Sequence, residues 1–173
     1  MGYFRSQDIR LLLFLNNRLH LKGLKVFMRA YTHLGGVAFH SCVAIFLLFA
    51  QRPLGITFLI NIFVSQFLVH SLKFLVHRPR PYATYESVIV RKESRDTNAF
   101  PSAHTASSLM AAFTFSRAFP EMAWLFYPAA ILVGLSRIIL GYHYPSDVLA
   151  SMLLTSLTYA LLHFLDFSNF SGI

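Results

Sequence analysis

Long apolar stretches separated by short polar breaks dominate the pattern along this chain. The least interrupted stretch covers 54–75, and a helix of about 20 apolar residues is long enough to cross a bilayer. Three further apolar stretches cover 103–119, 122–140 and 147–165. The breaks between them hold proline, glycine or charged residues, so each stretch is predicted to be a separate membrane-spanning helix.

The first part of the chain mixes apolar and basic positions. Residues 9–29 are interrupted by Arg10, Arg18, Lys22, Lys25 and Arg29. This pattern predicts an amphipathic helix that lies in the membrane interface, over about residues 1–24, and leads into the first span. A short or broken span is the alternative. Val37–Ala50 is mainly apolar but too short to cross alone, so the first span has to begin near Lys25.

These elements predict one membrane-embedded domain over residues 1–173. Five spans follow the interfacial helix, or six if residues 9–23 also insert. The expected fold class is therefore all-α, a polytopic bundle of transmembrane helices. The polar segment 76–100 is the longest break and is predicted to be the main loop of the bundle.

Composition agrees with a membrane protein. Hydrophobic residues make up 55% of the chain and charged residues 13%, whereas soluble domains average about 25% charged residues. The formal net charge of +8 favours contact with anionic lipid headgroups or phosphate. The basic residues are scattered between apolar spans, so nucleic acid is not an expected partner. A single cysteine, Cys42, excludes an intramolecular disulfide.

Successive spans run in opposite directions, so four helix ends emerge on one side of the bundle, called the active side. These are the end of 54–75, the start of 103–119, the end of 122–140 and the start of 147–165. The ionisable residues at these ends are Lys73, Arg80, His104, Arg137, His143 and Asp147. Charged groups at a membrane boundary are costly, so the cluster predicts a functional site.

Each of these residues taken alone has a structural explanation. Lys73 could simply extend its ammonium group to the interface at a helix end. His143 and Asp147, four positions apart at a helix start, could form a structural pair. Because all six residues converge on one side, a shared chemical role is favoured.

Phosphate chemistry explains this combination of side chains. Lysine and arginine side chains suit phosphate oxygens, and the helix that begins after Ser102 adds backbone N–H donors. His143 could act as a nucleophile while Asp147 holds the proton on its other ring nitrogen. His104 is then placed to protonate the leaving group as a general acid.

The same residues resemble the type 2 phosphatidic acid phosphatase family. Its pattern is Lys-x6-Arg-Pro, then Pro-Ser-x-His, then Ser-Arg-x5-His-x3-Asp. All three parts occur here in order, at Lys73, Arg80 and Pro81, at Pro101, Ser102 and His104, and at Ser136, Arg137, His143 and Asp147. Ala103 stands where glycine is usual, and its methyl group is expected to be tolerated at a helix start.

The resemblance implies a lipid phosphatase that uses no metal ion or other cofactor and forms a phosphohistidine intermediate. His143 would be the nucleophile, Asp147 its orienting partner and His104 the general acid. The phosphate would be held by Lys73, Arg80, Ser102, the backbone of Ala103, and Arg137.

Other function classes fit the sequence less well. Ser102 and His104 suggest a serine hydrolase, but no Gly-x-Ser-x-Gly turn is present. The other histidines do not form a His-Glu-x-x-His zinc pattern. Haloperoxidases similar to the family are soluble, and the predicted spans argue against that role. A non-catalytic lipid-binding or transport protein that kept the motif is the remaining alternative.

A site at the membrane boundary predicts a lipid-attached phosphate as substrate, with its tail entering sideways between spans. The resemblance implies undecaprenyl diphosphate, phosphatidylglycerophosphate, phosphatidic acid or a lipid A phosphate, and we favour the first two. The loop 76–100 could form part of a lid, or it could be only a solvated loop. The residues in it that could contact a second phosphate or headgroup are Tyr82, Tyr85, Arg91, Lys92 and Arg95, with His77 and Arg78 near the entrance.

Two opposing predictions concern which side of the membrane the active side faces. Basic residues outside the motifs concentrate on the active side, at Arg5, Arg10, Arg18, Lys22, Lys25, Arg29, Arg78, Arg91, Lys92 and Arg95, against Arg52 and Arg117 on the other. The positive-inside rule would place the active side in the cytoplasm. The resemblance implies a site that faces outward from a bacterial cytoplasmic membrane. A site for anionic lipid attracts basic residues for its own reasons, so we favour the outward orientation.

Overall fold

The structure is a computed structural model in which residues 2–18, 22–90, 94 and 96–165 are described. The α-helices in these residues are α1 (Gly2–Leu13), α2 (Lys22–Tyr31), α3 (Val37–Ala50), α4 (Arg52–Leu75), α5 (Pro81–Thr84), α6 (Ala103–Ala118), α7 (Ala123–Ile139) and α8 (Pro145–Phe164). A π-helical segment, Phe14–Arg18, follows α1, and 3-10 turns at Thr32–Gly35 and Pro120–Met122 precede α3 and α7. The predicted all-α class is confirmed.

Helix length and apolar composition support a multi-pass membrane protein. In the described part of the chain, α4, α8 and the segment Pro120–Ile139 are each long and apolar enough to cross a membrane. Gly23–Gly35 and Val37–Ala50 make a fourth crossing if they count as one span, bent by 48°. The sequence predicts that the first span begins near Lys25, and this bent pair of helices covers the same part of the chain.

The predicted span 103–119 is a shorter helix in the middle of the bundle. With 16 residues, α6 is only about 24 Å long, less than the roughly 30 Å of a bilayer hydrocarbon core. It packs against α4, α7 and α8, and most of its residues are buried. Small side chains such as Ala111 and Ala112 allow this close packing, and Asn61 of α4 donates a hydrogen bond to Thr114 at 2.9 Å.

Gly35 sets how closely the turn before α3 approaches α6. A Cβ atom at this position would lie 2.7 Å from Cγ1 of Val133 and 2.8 Å from the backbone oxygen of His104. Because only glycine fits, the turn comes near enough for the Ser107 hydroxyl to donate to the Gly35 carbonyl at 2.8 Å. Gly35 therefore positions the first turn of α6, which carries His104.

The described residues of the N-terminal segment form α1, the π-helical segment after it, and α2. Leu12 of α1 is fully buried in a cluster that also contains Val88, Ala99, Ile138, Tyr144 and Val148. Asn16 is buried in the π-helical segment, where it donates to the Ile139 carbonyl at 2.8 Å and accepts from the Ile89 backbone N–H at 2.8 Å. α1, which begins the segment predicted to be one interfacial helix, therefore packs on the active side of the bundle.

One face of the last helix is apolar and exposed along its length. Leu149, Leu153, Leu157 and Leu161 follow each other at intervals of four along α8, and each is more than half exposed. An exposed apolar stripe of this kind is expected where a helix contacts lipid rather than water. The opposite face carries buried Ser151 and Thr155 toward the bundle interior.

Candidate active site

The helix ends predicted to share one side meet in the structure. Arg80, at the start of α5, places its Nη1 3.3 Å from Nε2 of His143, in the turn between α7 and α8. The start of α6 joins them, because the backbone N–H of Ser102 donates to the hydroxyl of Ser151 in α8 at 2.6 Å. Lys73, at the end of α4, shares a carboxylate with Arg80. One compact site is therefore built from the four predicted ends.

The segment before α6 holds Lys73 and Arg80 toward the same point. Nζ of Lys73 donates to Oδ2 of Asp96 and to the Asn98 carbonyl, both at 2.7 Å. Arg80 donates from Nε to the Asp96 carbonyl at 2.6 Å and from Nη2 to Asp96 Oδ2 at 3.2 Å. Both cations are buried, so these contacts fix their direction.

Arg137 is a buried cation in the last turn of α7. Its Nη1 donates to the Thr32 hydroxyl at 2.9 Å, and its guanidinium lies 4.4 Å from the centre of the Tyr142 ring. Among the described residues, no group accepts a hydrogen bond from its Nε. A buried donor without an acceptor is unfavourable, and an anion beside Arg137 would satisfy it.

His143 is held as a neutral imidazole with Nε2 turned toward the cations. Arginine can only donate, so Nε2 accepts from Arg80 and Nδ1 carries the proton. Nδ1 donates this proton to the Ala99 carbonyl at 2.6 Å. Burial lowers the pKa of His143 well below its usual value, and the charges of Arg137, Arg80 and Lys73 lower it further. The lone pair of Nε2 is therefore ready for attack on an electrophile.

Asp147 lies beside His143 but is not its hydrogen-bond acceptor. Its Oδ2 is 3.6 Å from Nδ1 of His143, beyond hydrogen-bond range, and instead accepts from the Tyr144 backbone N–H at 2.8 Å. Its Oδ1 accepts from Arg78 at 2.7 Å. The direct bond expected from the sequence is replaced by the Ala99 carbonyl, because the Asp147 carboxylate caps α8 and pairs with Arg78.

Arg78 links this carboxylate to the N-terminal helix. Its Nη2 donates to Oδ2 of Asp8 at 2.7 Å, and its guanidinium lies 3.9 Å from the centre of the Tyr144 ring. Asp8 in turn accepts from the Ser146 backbone N–H at 2.9 Å. The sequence predicted Arg78 only near the entrance of the site. Its position two residues before Arg80 was the one signal in the sequence for a place within the site.

Ser102 lies at the predicted start of α6, and its contact with phosphate stays a prediction. It is fully buried as the N-cap of α6, and its hydroxyl accepts from the Thr105 hydroxyl at 2.9 Å. It does not line the cavity described next, whereas Ala103 and His104 do. The first turn of α6 therefore faces the site through Ala103 and His104, while Ser102 fixes the helix start.

A cavity of about 480 Å³ connects the cations with the lipid-facing surface. Its polar end is lined by Lys73, Arg80, Asp96, His104, Arg137 and His143, and its apolar flank by Val37, Ala44, Phe58, Leu59, Ile62 and Phe63 of α3 and α4. Val37 is 78% exposed and Phe63 71%, so the flank opens sideways between these helices. Within the described ranges, no three or more His, Cys, Asp or Glu side chains group as metal ligands.

The loop 76–100 lies beside the site, but only part of it is described. The hydroxyl of Tyr82 accepts from the Ser94 backbone N–H at 3.0 Å, and its ring packs edge-on against Tyr142. Tyr82 therefore orders the loop beside the site. Arg91, Lys92 and Arg95, predicted to contact a headgroup, lie outside the described residues. Asp96, which sequence reasoning missed, reaches both Lys73 and Arg80 with its carboxylate.

Curated relatives of this chain include lipid phosphatases. An undecaprenyl-diphosphatase from Sulfolobus acidocaldarius is 28% identical over 138 residues, covering 79% of this chain and 66% of that protein. A decaprenylphosphoryl-5-phosphoribose phosphatase from Mycobacterium tuberculosis is 40% identical over 88 residues, covering 50% of this chain and 46% of that protein. The chain thus spans about half to two thirds of the length of these two relatives.

Solved structures share the helix arrangement, and a family model covers the site. Aquifex aeolicus LpxE superposes with a TM-score of 0.81 at 26% identity, covering 88% of this chain and 92% of that one. A phosphatidylglycerolphosphate phosphatase from Bacillus subtilis shares the fold, with a TM-score of 0.78 at 22% identity, over 96% of this chain and 87% of that one. The model of the PAP2 superfamily matches residues 54–170, from Lys73 to Asp147 and beyond. Because that match covers more than half of the chain, this protein belongs to the PAP2 superfamily.

Proposed function

We propose that this protein is a metal-independent lipid phosphatase that works through a phosphohistidine on His143. One observation carries the proposal: a neutral buried histidine shares with three cations the polar end of a cavity whose apolar flank opens toward lipid. A phosphate group suits the cations, and a lipid tail suits the flank.

The first chemical step is attack of His143 Nε2 on phosphorus. The N–P bond forms as the bond from phosphorus to the leaving oxygen breaks. His104, whose protonated form is favoured by the negative charge of the bound phosphate, gives that oxygen its proton. Lys73, Arg80 and Arg137 stabilise the charge on the phosphoryl oxygens. The Ala99 carbonyl, with Asp147 nearby, stabilises the positive imidazole ring that results.

The second step hydrolyses the phosphohistidine. Water attacks phosphorus from the side that the leaving group vacated, and His104, now neutral, accepts a proton from this water. The N–P bond breaks, and His143 regains its Nε2 lone pair. Inorganic phosphate leaves, and His104 is again protonated for the next cycle.

The substrate class is an anionic lipid with a terminal phosphate or diphosphate. The apolar flank runs along α4 from Lys73 to Phe58, a distance of about 22 Å along a helix, so it holds a long acyl or isoprenoid chain. Relatives named for undecaprenyl and decaprenyl substrates support an isoprenoid lipid. We propose undecaprenyl diphosphate or phosphatidylglycerophosphate.

Phosphate release from purified protein tests this proposal against a non-catalytic lipid-binding or transport role. In detergent with EDTA, the wild-type protein should release phosphate from at least one member of a panel of lipid phosphates and diphosphates. His143→Ala should abolish release, whereas His33→Ala, at an exposed histidine, should keep it. Absence of release from every lipid, or loss of release on chelation, would contradict the proposal.

The orientation is part of the same proposal: the site faces outward from a bacterial cytoplasmic membrane. Glu86 is exposed in the loop on the active side, so a cysteine there reports which side the loop occupies. In a Cys42→Ser background, Glu86→Cys should react with an impermeant thiol reagent in intact cells. Labelling only after lysis would show that the loop faces the cytoplasm and would contradict the outward orientation.

A further inference from the structure

Asp96 occupies the position between Lys73 and Arg80 that a phosphate oxygen would take. Its Oδ2 lies 2.7 Å from Nζ of Lys73 and 3.2 Å from Nη2 of Arg80. These are the two cations that reach the site from the end of α4 and the start of α5. Bridging of two cations by one oxygen is the contact expected of a bound phosphoryl group.

The three side chains differ in how easily they can move. The side chains of Lys73 and Arg80 are 7% and 4% exposed, whereas that of Asp96 is 47% exposed. Because Asp96 is exposed to solvent on one side, its carboxylate can rotate out of the site, whereas the two buried cations cannot. A ligand that competes for the cations therefore displaces Asp96 rather than Lys73 or Arg80.

The backbone beside Asp96 is anchored independently of its carboxylate. Arg80 Nε donates to the Asp96 carbonyl at 2.6 Å, and Lys73 Nζ donates to the Asn98 carbonyl at 2.7 Å. Asn98 adds a bond from its side-chain amide to the Lys73 carbonyl at 3.0 Å. The Asp96 side chain can thus rotate away while the loop stays attached to both cations.

The Asp96 carboxylate carries its negative charge over the working pH range. Partial burial alone would raise the pKa of Asp96, but hydrogen bonds from Lys73 and the Asn98 backbone, with the charges of Lys73 and Arg80, lower it below its ordinary value. A phosphate ligand therefore meets an anion already in place. The two negative groups cannot occupy this position together.

We propose that Asp96 is an internal counter-anion of the phosphate site, which it fills when no substrate is bound and leaves when a phosphoryl group enters. The proposal rests on the proposed function of this site. Its effect is a lower affinity for every phosphate ligand by the same factor. A lipid substrate retains the contacts of its tail along α3 and α4, whereas inorganic phosphate has no tail.

The consequence for turnover is easier release of the inorganic product. Inorganic phosphate has to compete with Asp96 using only its contacts to the cations, so the carboxylate returns and the product leaves. A lipid phosphate, concentrated in the bilayer and held by its tail, still fills the site. Asp96 thereby limits inhibition by soluble phosphate.

Removing the charge of Asp96 tests this role with inorganic phosphate as the probe. In the purified full-length protein, Asp96→Asn keeps the shape of the side chain but removes its charge. Phosphate inhibition of lipid hydrolysis, and phosphate binding measured by calorimetry, should strengthen on the order of three- to tenfold. Glu86→Gln removes an exposed charge from the same loop and should leave both values unchanged.

The outcomes separate this proposal from the proposed function. If the wild-type protein binds phosphate and Asp96→Asn binds it equally or more weakly, Asp96 orients the cations and the counter-anion role is wrong. If neither protein binds phosphate while both hydrolyse lipid phosphate, only the counter-anion role is overturned. If the wild-type protein hydrolyses no lipid phosphate, the proposed function itself fails. Asp96→Glu, which restores the charge, should bind phosphate more weakly than Asp96→Asn, and equal binding by the two variants would also contradict the role.

Discussion

At the scale of single residues, the protonation state of His143 decides whether the site can begin a reaction. Burial and three nearby cations disfavour a positive charge on its ring. The Arg80 contact and the Ala99 carbonyl select the tautomer with the proton on Nδ1. The folded protein therefore holds this ring in the neutral form that the proposed mechanism requires.

The first prediction concerns the pH at which His143 gains a proton. Its pKa is lowered on folding, so the ring should stay neutral as the pH falls through about 6.5, where an unperturbed histidine becomes charged. Ring resonances of His143, assigned by comparison with His143→Ala, should show no protonation at pH 6. A midpoint at or above 6.5 would mean that the cations do not act on this ring.

At the scale of helices, two contacts outside the motif residues set the geometry of the site. The turn at Gly35 packs on the backbone of His104, and Asp8 of α1 reaches Arg78 and through it Asp147. Neither contact can be read from the sequence, because each depends on how separate elements pack. A glycine in a loop and an acidic residue in an N-terminal helix carry no local signal of these partners.

The second prediction is that Gly35→Ala loosens the start of α6. The added methyl group would overlap Val133 and the His104 carbonyl, so a helix or turn has to shift. Overpacking of this kind should lower the free energy of unfolding by about 1–3 kcal/mol, measured by thermal unfolding in detergent, and should reduce phosphatase activity. Gly23→Ala is the matched control, because a Cβ atom there meets nothing within 4 Å. Equal stability of the two variants would contradict the assigned packing.

The third prediction is that Asp8→Asn releases α1 from the site. The variant loses the ion pair with Arg78, which weakens the docking of α1 by about 1–2 kcal/mol. Amide hydrogen exchange in Gly2–Leu13 should become faster, and activity should fall because Arg78, which holds Asp147, loses its bond to Asp8. Gln7→Ala, at an exposed neighbouring position, should change neither measurement. Unchanged exchange in Asp8→Asn would show that other contacts hold α1.

At the scale of the whole molecule, the cavity ties the membrane position of the bundle to its chemistry. The cations lie at the active side, and the apolar flank between α3 and α4 opens toward lipid. In the proposed function, this opening lets a lipid phosphate reach the cations without leaving the bilayer. Sideways entry of the tail, predicted from the position of the motifs along the spans, stays a prediction that this opening supports.

The sequence predicted the parts of this arrangement that follow from spacing. Apolar lengths set the helices, and their alternating direction brought Lys73, His104, Arg137 and His143 together. Side-chain competition was not predictable: Asp147 caps α8 and pairs with Arg78 at the expense of its bond to His143, and Ser102 turns inward as an N-cap. Such choices depend on which partners become available after packing.

The fourth prediction concerns the lateral opening of the cavity. Ser41 is exposed and lines the cavity on α3, so Ser41→Trp should obstruct the path of a lipid tail. The KM for a long-chain lipid phosphate should rise roughly tenfold, or about 1.4 kcal/mol, while hydrolysis of a water-soluble short-chain phosphate changes little. Cys42→Trp, exposed next to it but outside the lining, is the control. Equal effects on both substrates would contradict lateral entry.

The fifth prediction tests the central claim, that His143 carries the phosphoryl group during turnover. Wild-type protein mixed with excess lipid phosphate in EDTA and quenched in alkali, which preserves N–P bonds, can be digested and examined by mass spectrometry. We expect phosphate on the peptide that contains His143, and none in His143→Ala. Phosphate on Ser102, or turnover by His143→Ala at the wild-type rate, would contradict the mechanism.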